Sequence, residues 1–289
     1  MNEKYPIRSV DLNDSPYPRL LRLIQNPPQK LYYRGDISLA SRASIAVVGA
    51  RKATEYGKWA AFNLAKTLAE YGLAVVSGMA FGADSEAHKG ALAAGGKTVA
   101  VFGCGVDVCY PVRNYRLMNE ILEKGLVLSE FPPGTMPREF TFPLRNRIIS
   151  GLSVATVVVE AGLHSGSLIT AERAAEQGRT VYAVPGNINR AMSFGCNKLI
   201  RDGALPVVVF DDIAKDLKLV RADTVERRAE TLGADERAIY AAVCRRGEMT
   251  VDELCVETGL PPQDINGIIT VLEMKGIVET AQGRVFASG

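Results

Sequence analysis

Short runs of β-branched and aliphatic residues recur along the chain, separated by longer stretches with helical patterning. IAVVG (45–49), LAVVSG (73–78), TVAVFG (98–103), LVLSE (126–130), VATVVVEA (154–161), TVYAVPG (180–186) and LPVVVF (205–210) are continuously apolar instead of alternating with polar residues. Runs of this kind suit strands covered on both faces, as in a parallel sheet. Between them lie WAAFNLAKTLAEYG, DSEAHKGALAAGG, NYRLMNEILEKG, the RNR segment, SLITAERAAEQG and CNKLIRDGA, several of which close on glycine, a helix C-terminal signal. The alternation predicts an α/β, doubly wound, Rossmann-like domain with a mostly parallel sheet over residues 41–213. Residues 1–40, marked by YPRLL and NPPQ, read as an extension packed on that domain. Residues 214–232 mix both charges without an apolar stripe and read as a linker or exposed helix. From 233 to 289, DERAIYAAVCRRG, TVDELCVETG and PQDINGIITVLEMKG give three helical patterns, and GIVETAQGRVFASG reads as a hairpin around Gly283. Three helices followed by a hairpin predict a small C-terminal winged-helix domain.

Composition narrows the class. With 289 residues, 47% of them hydrophobic and 23% charged, the chain can build one large core and a small companion domain. No apolar run approaches the roughly 18 residues that span a bilayer. The start, MNEKYPIRSVDLND, has no basic flank followed by an apolar core. We therefore expect a cytoplasmic protein without a membrane span. The five cysteines show no CxxC pairing, and only His88 and His164 could join them at a metal, so reduced thiols and no metal are expected. The net charge of +2 is small, but it is unevenly spread. From residue 231 to the end five basic residues face nine acidic ones, a charge of −4 that leaves +6 on the rest. The tail is electrostatically a different object.

Ligands of open parallel sheets sit at the carboxyl ends of the strands, so the loops after each strand carry the chemistry. VGARKATEYG lacks the glycine triplet of a dinucleotide site; instead Arg51 and Lys52 stand beside Gly49, and Thr54 is placed to cap the next helix. SGMAFGADSEAHKGAL has Gly78 and Gly82, where backbone amides can approach a ligand. In AGLHSGSLITAERA, Ser165, Gly166 and Ser167 form a polar turn at a helix start, which favours an anion. FPLRNRIISGL sets Arg145, Asn146 and Arg147 just behind Pro143, at a helix start where cations are disfavoured by roughly 0.3 to 1 kcal/mol each. Positions i and i+2 point about 200° apart on a helix, so the two arginines cannot share one phosphate. At least one is expected to be a phosphate ligand and the other to pair with an acid such as Glu160. Asp84, Asp107 and Glu160 lie near strand ends, but there is no nucleophile elbow, Walker lysine or metal-ligand cluster. His88, in mid-helix, reads as structural. The expectation is a binding protein, not an enzyme, with no cofactor. Phe81, Phe140 and Phe142 are candidates either for base stacking or for the core.

GARKATEYG, SGMAFGADSEAHKGAL, VFGCGVDVCYP, LSEFPPG, FPLRNRIISGLS, VVVEAGLHSGSLITAERAAEQGR and YAVPG, in this order, resemble the DNA-processing protein A (DprA/Smf) family, and the likeness covers most of residues 17–213, including YPRLLRLIQNPPQKLYYRG. The resemblance implies a protein that binds single-stranded DNA, protects incoming DNA in natural transformation and loads the RecA recombinase onto it. It implies that Arg51, Arg145 and Arg147 contact the DNA backbone, that Gly166 and Ser167 hold a further phosphate, and that a homodimer forms through NKLIRDGALPVVVF. His164 stands where several relatives carry lysine before SGS; a neutral histidine donates one hydrogen bond or stacks on a base but supplies no full charge. Forty residues cannot hold the complete sterile-alpha-motif or helix-hairpin-helix domain with which many relatives begin. A winged helix of charge −4 lacks the phosphate contacts of a groove reader and is expected to contact protein. Two rivals come from other classes. A nucleotide-processing enzyme of the phosphoribohydrolase type is one, although its PGGxGTxxE signature is missing; a nicotinamide dehydrogenase is the other, disfavoured by the missing glycine triplet.

Overall fold

The computed structural model describes residues 4–221 and 232–287. Two compact units result, residues 1–69 with 73–210 and residues 70–72 with 211–289. The first runs β1 (Arg8–Asp11), α1 (Arg19–Arg22), β2 (Lys30–Gly35), β3 (Ser44–Val48), α2 (Glu55–Glu70), β4 (Ala74–Ser77), α3 (Ala83–Ala93), β5 (Thr98–Phe102), α4 (Tyr115–Lys124), β6 (Leu126–Ser129), α5 (Thr141–Leu152), β7 (Ala155–Val158), α6 (Gly166–Glu176), β8 (Thr180–Ala183), α7 (Phe194–Arg201) and β9 (Leu205–Pro206). Its sheet has the order β1-β2-β6-β5-β4-β3-β7-β8-β9. Strands β3 to β9 are mutually parallel. Every residue of β3, β4, β5, β6 and β7 is buried, which is why those runs read as continuous apolar stretches.

Two sequence expectations change here. The N-terminal extension does more than pack on the sheet: β1 and β2 join it as antiparallel strands, with Tyr33 opposite Leu128 and Val10 opposite Leu31. KLYYRG mixes charged and aromatic residues because an antiparallel strand near a sheet edge is covered unevenly. At the other edge LPVVVF shortens to Leu205–Pro206. After Val207 donates its amide to the Ala183 carbonyl the chain leaves the ladder, and Val208 is 78% exposed.

The second unit has α8 (Asp212–Asp216), α9 (Ala234–Arg246), β10 (Glu248–Met249), α10 (Val251–Thr258), α11 (Pro262–Met274), β11 (Val278–Ala281) and β12 (Arg284–Ala287). Its sheet is β10-β12-β11, antiparallel throughout. Ile239, Val243, Leu254, Ile265, Leu272 and Val285 fill its core. Thr250 and Glu253 form a reciprocal capping box at the start of α10. Gln282 and Gly283, both at positive φ, turn the hairpin. This is the winged-helix arrangement that the pattern predicts. Of the expected linker, residues 214–216 are helical, as the end of α8, and residues 222–231 lie outside the described residues. Among the described residues no helix is long and apolar enough to cross a membrane.

His88, on α3, has the structural role read from the sequence. It is fully buried, and its Nδ1 pairs with the Thr98 hydroxyl at 2.7 Å. Burial pulls its pKa from the ordinary 6.5 down to about 3. Between those values the unfolded chain takes up a proton that the folded chain refuses, so stability falls as pH falls from 6.5 toward 3. The urea stability gap between the wild type and His88→Gln should therefore narrow by about 2 kcal/mol from near pH 7 to near pH 5, and an unchanged gap contradicts the assignment.

Candidate functional site

The parallel strand order reverses between β3 and β7: from β3 the chain builds outward through β4, β5 and β6, then returns to β7, β8 and β9 on the other side. Loops that diverge at such a point leave a crevice at the carboxyl ends of the strands. A cleft of about 710 Å³ lies there. The loop after β3 brings Gly49 to Lys52 to it, α5 brings Phe142, Arg145 and Asn146, and the loop after β7 brings His164 to Ser167.

The first turns of α3, α5 and α6 line this crevice and the start of α2 lies beside it, and the N-termini of α2 and α6 are used differently. At α2, Glu160 is almost fully buried and accepts from the Thr54 amide and the Thr54 hydroxyl, each at 2.7 Å. Thr54 in turn accepts from the Gly57 amide at 3.2 Å. The α2 terminus is thus closed by a protein carboxylate. At α6, the N-cap Ser165 makes no side-chain capping bond; its hydroxyl lies 2.8 Å from that of Ser167. A Cβ added to Gly166 would meet open space. Gly166 and Ser167, the first two residues of α6, line the cleft, and an uncapped helix start of this kind suits an anion.

The floor is set by Arg145. It is 4% exposed; its Nη1 donates to the Gly78 carbonyl at 2.8 Å and to the Val101 carbonyl, and its Nε donates to Asn146 Oδ1 at 3.3 Å. Burial pulls its pKa down to about 10, against the pull of Asp84. Asp84 is itself buried and accepts from the amides of Gly78 and Ala80. Burial raises its pKa, and the Arg145 charge and those amides oppose the shift. Asn146 Nδ2 donates to the Gly166 carbonyl at 3.2 Å, tying α5 to the turn that opens α6.

Of the residues singled out in the sequence, Arg51, Lys52, Arg145, Asn146, His164, Ser165, Gly166 and Ser167 meet around this cleft, with Glu139 at its rim. Arg51 and Lys52 are exposed, and Arg51 lies over the Phe142 ring at 4.9 Å. The others lie elsewhere. Arg147 is not among the residues that line the cleft: it forms a two-pronged ion pair with Glu130 at 2.6 and 2.7 Å and donates to the carbonyls of Asn26 and Leu144. Its partner is not Glu160, whose oxygens Thr54 takes. Gly78 and Gly82 are closely packed against protein atoms. The Gly78 amide is engaged by Asp84, and a Cβ there would sit 2.6 Å from the Arg145 guanidinium. Gly82 adopts φ +75° and leaves no room for a side chain against the Ala50 and Arg51 carbonyls.

Sequence reasoning missed Tyr110, whose ring stacks on Phe142 with centroids 5.5 Å apart. Only its place in GCGVDVCYP, the loop that follows β5, could have pointed to it. Phe81 is 43% and Phe140 59% exposed, so neither belongs to the core. Among the described residues no three His, Cys, Asp or Glu side chains gather as a metal site.

A family model described as DNA recombination-mediator protein A matches residues 8–218, and one described as DprA winged helix domain matches residues 224–284. The putative DNA processing protein DprA of Mycobacterium tuberculosis is 42% identical over 251 residues, which cover 85% of this chain and 64% of that relative. The chain therefore spans under two thirds of that relative's length. The X-ray structure of the DNA processing protein A of Streptococcus pneumoniae matches with a TM-score of 0.70 at 45% identity, over 74% of each chain. That of Helicobacter pylori, solved for its single-stranded DNA binding mode, matches with a TM-score of 0.67 at 30% identity, over 75% of this chain and 98% of the other.

The buried and the paired arginine should respond differently to removal. Arg145→Met leaves two carbonyls unpartnered and Asp84 unopposed in the interior, and is expected to cost about 3 to 5 kcal/mol in urea unfolding. Arg147→Met, which breaks a partly solvated pair, should cost about 1 to 3 kcal/mol. Equal losses contradict the ranking.

Proposed function

This chain belongs to the DNA recombination-mediator protein A family, and on that premise we propose that the cleft between β3 and β7 holds the backbone of single-stranded DNA. The observation that carries the reading is the convergence, in one hollow, of two exposed cations, Arg51 and Lys52, with the uncapped start of α6. One phosphate sits on the amides of Gly166 and Ser167, with the Ser165 and Ser167 hydroxyls as further donors. Arg51 and Lys52 neutralise the next stretch of backbone, and Arg145 adds positive potential from the floor without reaching the strand. His164, exposed beside the turn, donates a hydrogen bond or stacks. Tyr110 and Phe142 offer aromatic faces to an unpaired base, which a duplex cannot present.

A strand held at a few phosphates keeps most of its length open, which fits a recombination mediator that passes single-stranded DNA to RecA in the cytoplasm during natural transformation. A homodimer is supported by a second hollow of about 900 Å³ between α6, α7 and β9, where Leu163, Leu168, Leu199 and Leu205 present apolar surface. In the winged helix the cations are engaged: Arg245 and Arg246 with Glu257, Lys275 with Glu236, and Arg284 with Glu248. Together with the charge of −4 this supports a protein-contact role over groove binding. Nucleotide hydrolysis is the weaker reading, because the buried carboxylates Glu160 and Asp84 are committed to protein donors, which leaves the exposed Glu139 at the rim.

The test is a salt titration of oligonucleotide affinity. Single strands should bind more tightly than duplex, with log affinity falling against log salt by about 0.7 per neutralised phosphate. In Arg51→Ala/Lys52→Ala the slope should drop by about 1 to 1.5 and single-strand affinity by tenfold or more. An unchanged slope in that variant overturns the cleft assignment.

A further inference from the structure

A third hollow, of about 720 Å³, adjoins the cleft; Met192 lines both, and they flank the same stretch of chain, residues 51–56. Its walls include Tyr56 from the first turn of α2 and Arg190 from the loop after β8. Tyr56 is 48% exposed, and its hydroxyl donates to the Pro185 carbonyl at 3.2 Å, which pins the ring. One turn along α2 stands Trp59, the single tryptophan of the chain, 55% exposed. Tyr56 and Trp59 are stacked, with centroids 6.2 Å apart and planes at 29°. Phe210 backs Trp59 at 5.4 Å and 55°. Three aromatic rings thus form a supported ledge on the surface, about 4.5 Å of helix rise separating the first two.

Leaving a tryptophan this exposed forfeits much of the free energy its burial would give. The charges around it narrow what covers it. Glu55 is paired with Lys58 at 2.7 Å, and Glu160 is spent on Thr54. Arg190 is exposed and has no carboxylate partner among the described residues. An unpaired guanidinium next to pinned, stacked aromatic faces, in a hollow continuous with a phosphate-binding cleft, is the combination that single-stranded nucleic acid requires.

We propose that a single strand leaving the cleft past Met192 continues across Arg190 and stacks its bases on Tyr56 and Trp59, which form a second nucleotide-contact site. This rests on the reading of the cleft as the strand's first anchor. The ledge lengthens the bound segment and gives the strand a direction across the sheet edge, from the start of α6 toward α2.

The only tryptophan is the reporter. The full-length protein is titrated with oligothymidylates of about 4 and about 12 nucleotides, within the range of lengths that single-strand binding sites accept. The longer strand should quench Trp59 emission and bind about tenfold or more tightly than the shorter, which fills the cleft and leaves the emission unchanged. Trp59→Leu and, separately, Arg190→Ala, both at exposed positions, should lose most of that length advantage in fluorescence anisotropy with a labelled strand. If the longer strand leaves Trp59 emission unchanged and both variants keep the full length advantage, the second site is overturned while the cleft stands. If Arg51→Ala/Lys52→Ala binds both lengths like wild type, the cleft reading fails independently of the ledge.

Discussion

A guanidinium almost cut off from water organises the candidate site. Arg145 spans from α5 to the ends of β4 and β5 through the carbonyls of Gly78 and Val101, and its charge faces the buried Asp84. Removing such a group from water is costly, and the cost is tolerable only when its donors are satisfied and an opposite charge is near. Both conditions hold here, and they dictate local composition. Gly78 has no side chain because the guanidinium occupies that space. Asn146, the next residue, passes the constraint on to the Gly166 carbonyl and so to the first turn of α6. The mouth of the cleft is therefore held by its floor.

A second constraint decides where an anion can sit. The loops after β3 and β7 lead into two helix N-termini, that of α6 at the cleft and that of α2 beside it, and both carry partial positive charge. Glu160, with Thr54, neutralises the first from within the protein. The second keeps its amides open because Ser165 turns its hydroxyl to Ser167. The α6 start, unlike that of α2, has no side-chain cap and lines the same cleft as the two exposed cations, Arg51 and Lys52. Tyr110 and Phe142 line the cleft itself, and Tyr56 lines the adjoining hollow.

Much of this was legible in the sequence, for identifiable reasons. Strands buried on both faces betray themselves as unbroken apolar runs, so β3 to β8 and the loops that follow them could be read from local composition. β1 and β2 could not, because antiparallel strands near an edge carry charged and aromatic residues that resemble a loop, and Pro28 and Pro27 reinforced that reading. The basic and Gly/Ser turns that meet at the cleft were found because strand order places such loops together. The separate fates of Arg145 and Arg147 were only half visible. Helical geometry shows that the two diverge, but the partners that bury one and pair the other, Val101 and Glu130, lie 44 and 17 residues away in sequence. Gly78 and Gly82 look like ligand-approach glycines in any Gly-rich turn; their packing role emerges only when the residues opposite them are known.

The central claim is that the uncapped start of α6, and neither of the arginines in RNR, seats a phosphate of single-stranded DNA. A crystal structure of the chain with a short oligothymidylate tests it most directly. The account predicts a phosphate within hydrogen-bond distance of the Gly166 and Ser167 amides, with Arg51 turned to the adjoining backbone and the Arg147–Glu130 pair intact. A phosphate held by Arg147, or a strand bound with the α6 terminus empty, contradicts it.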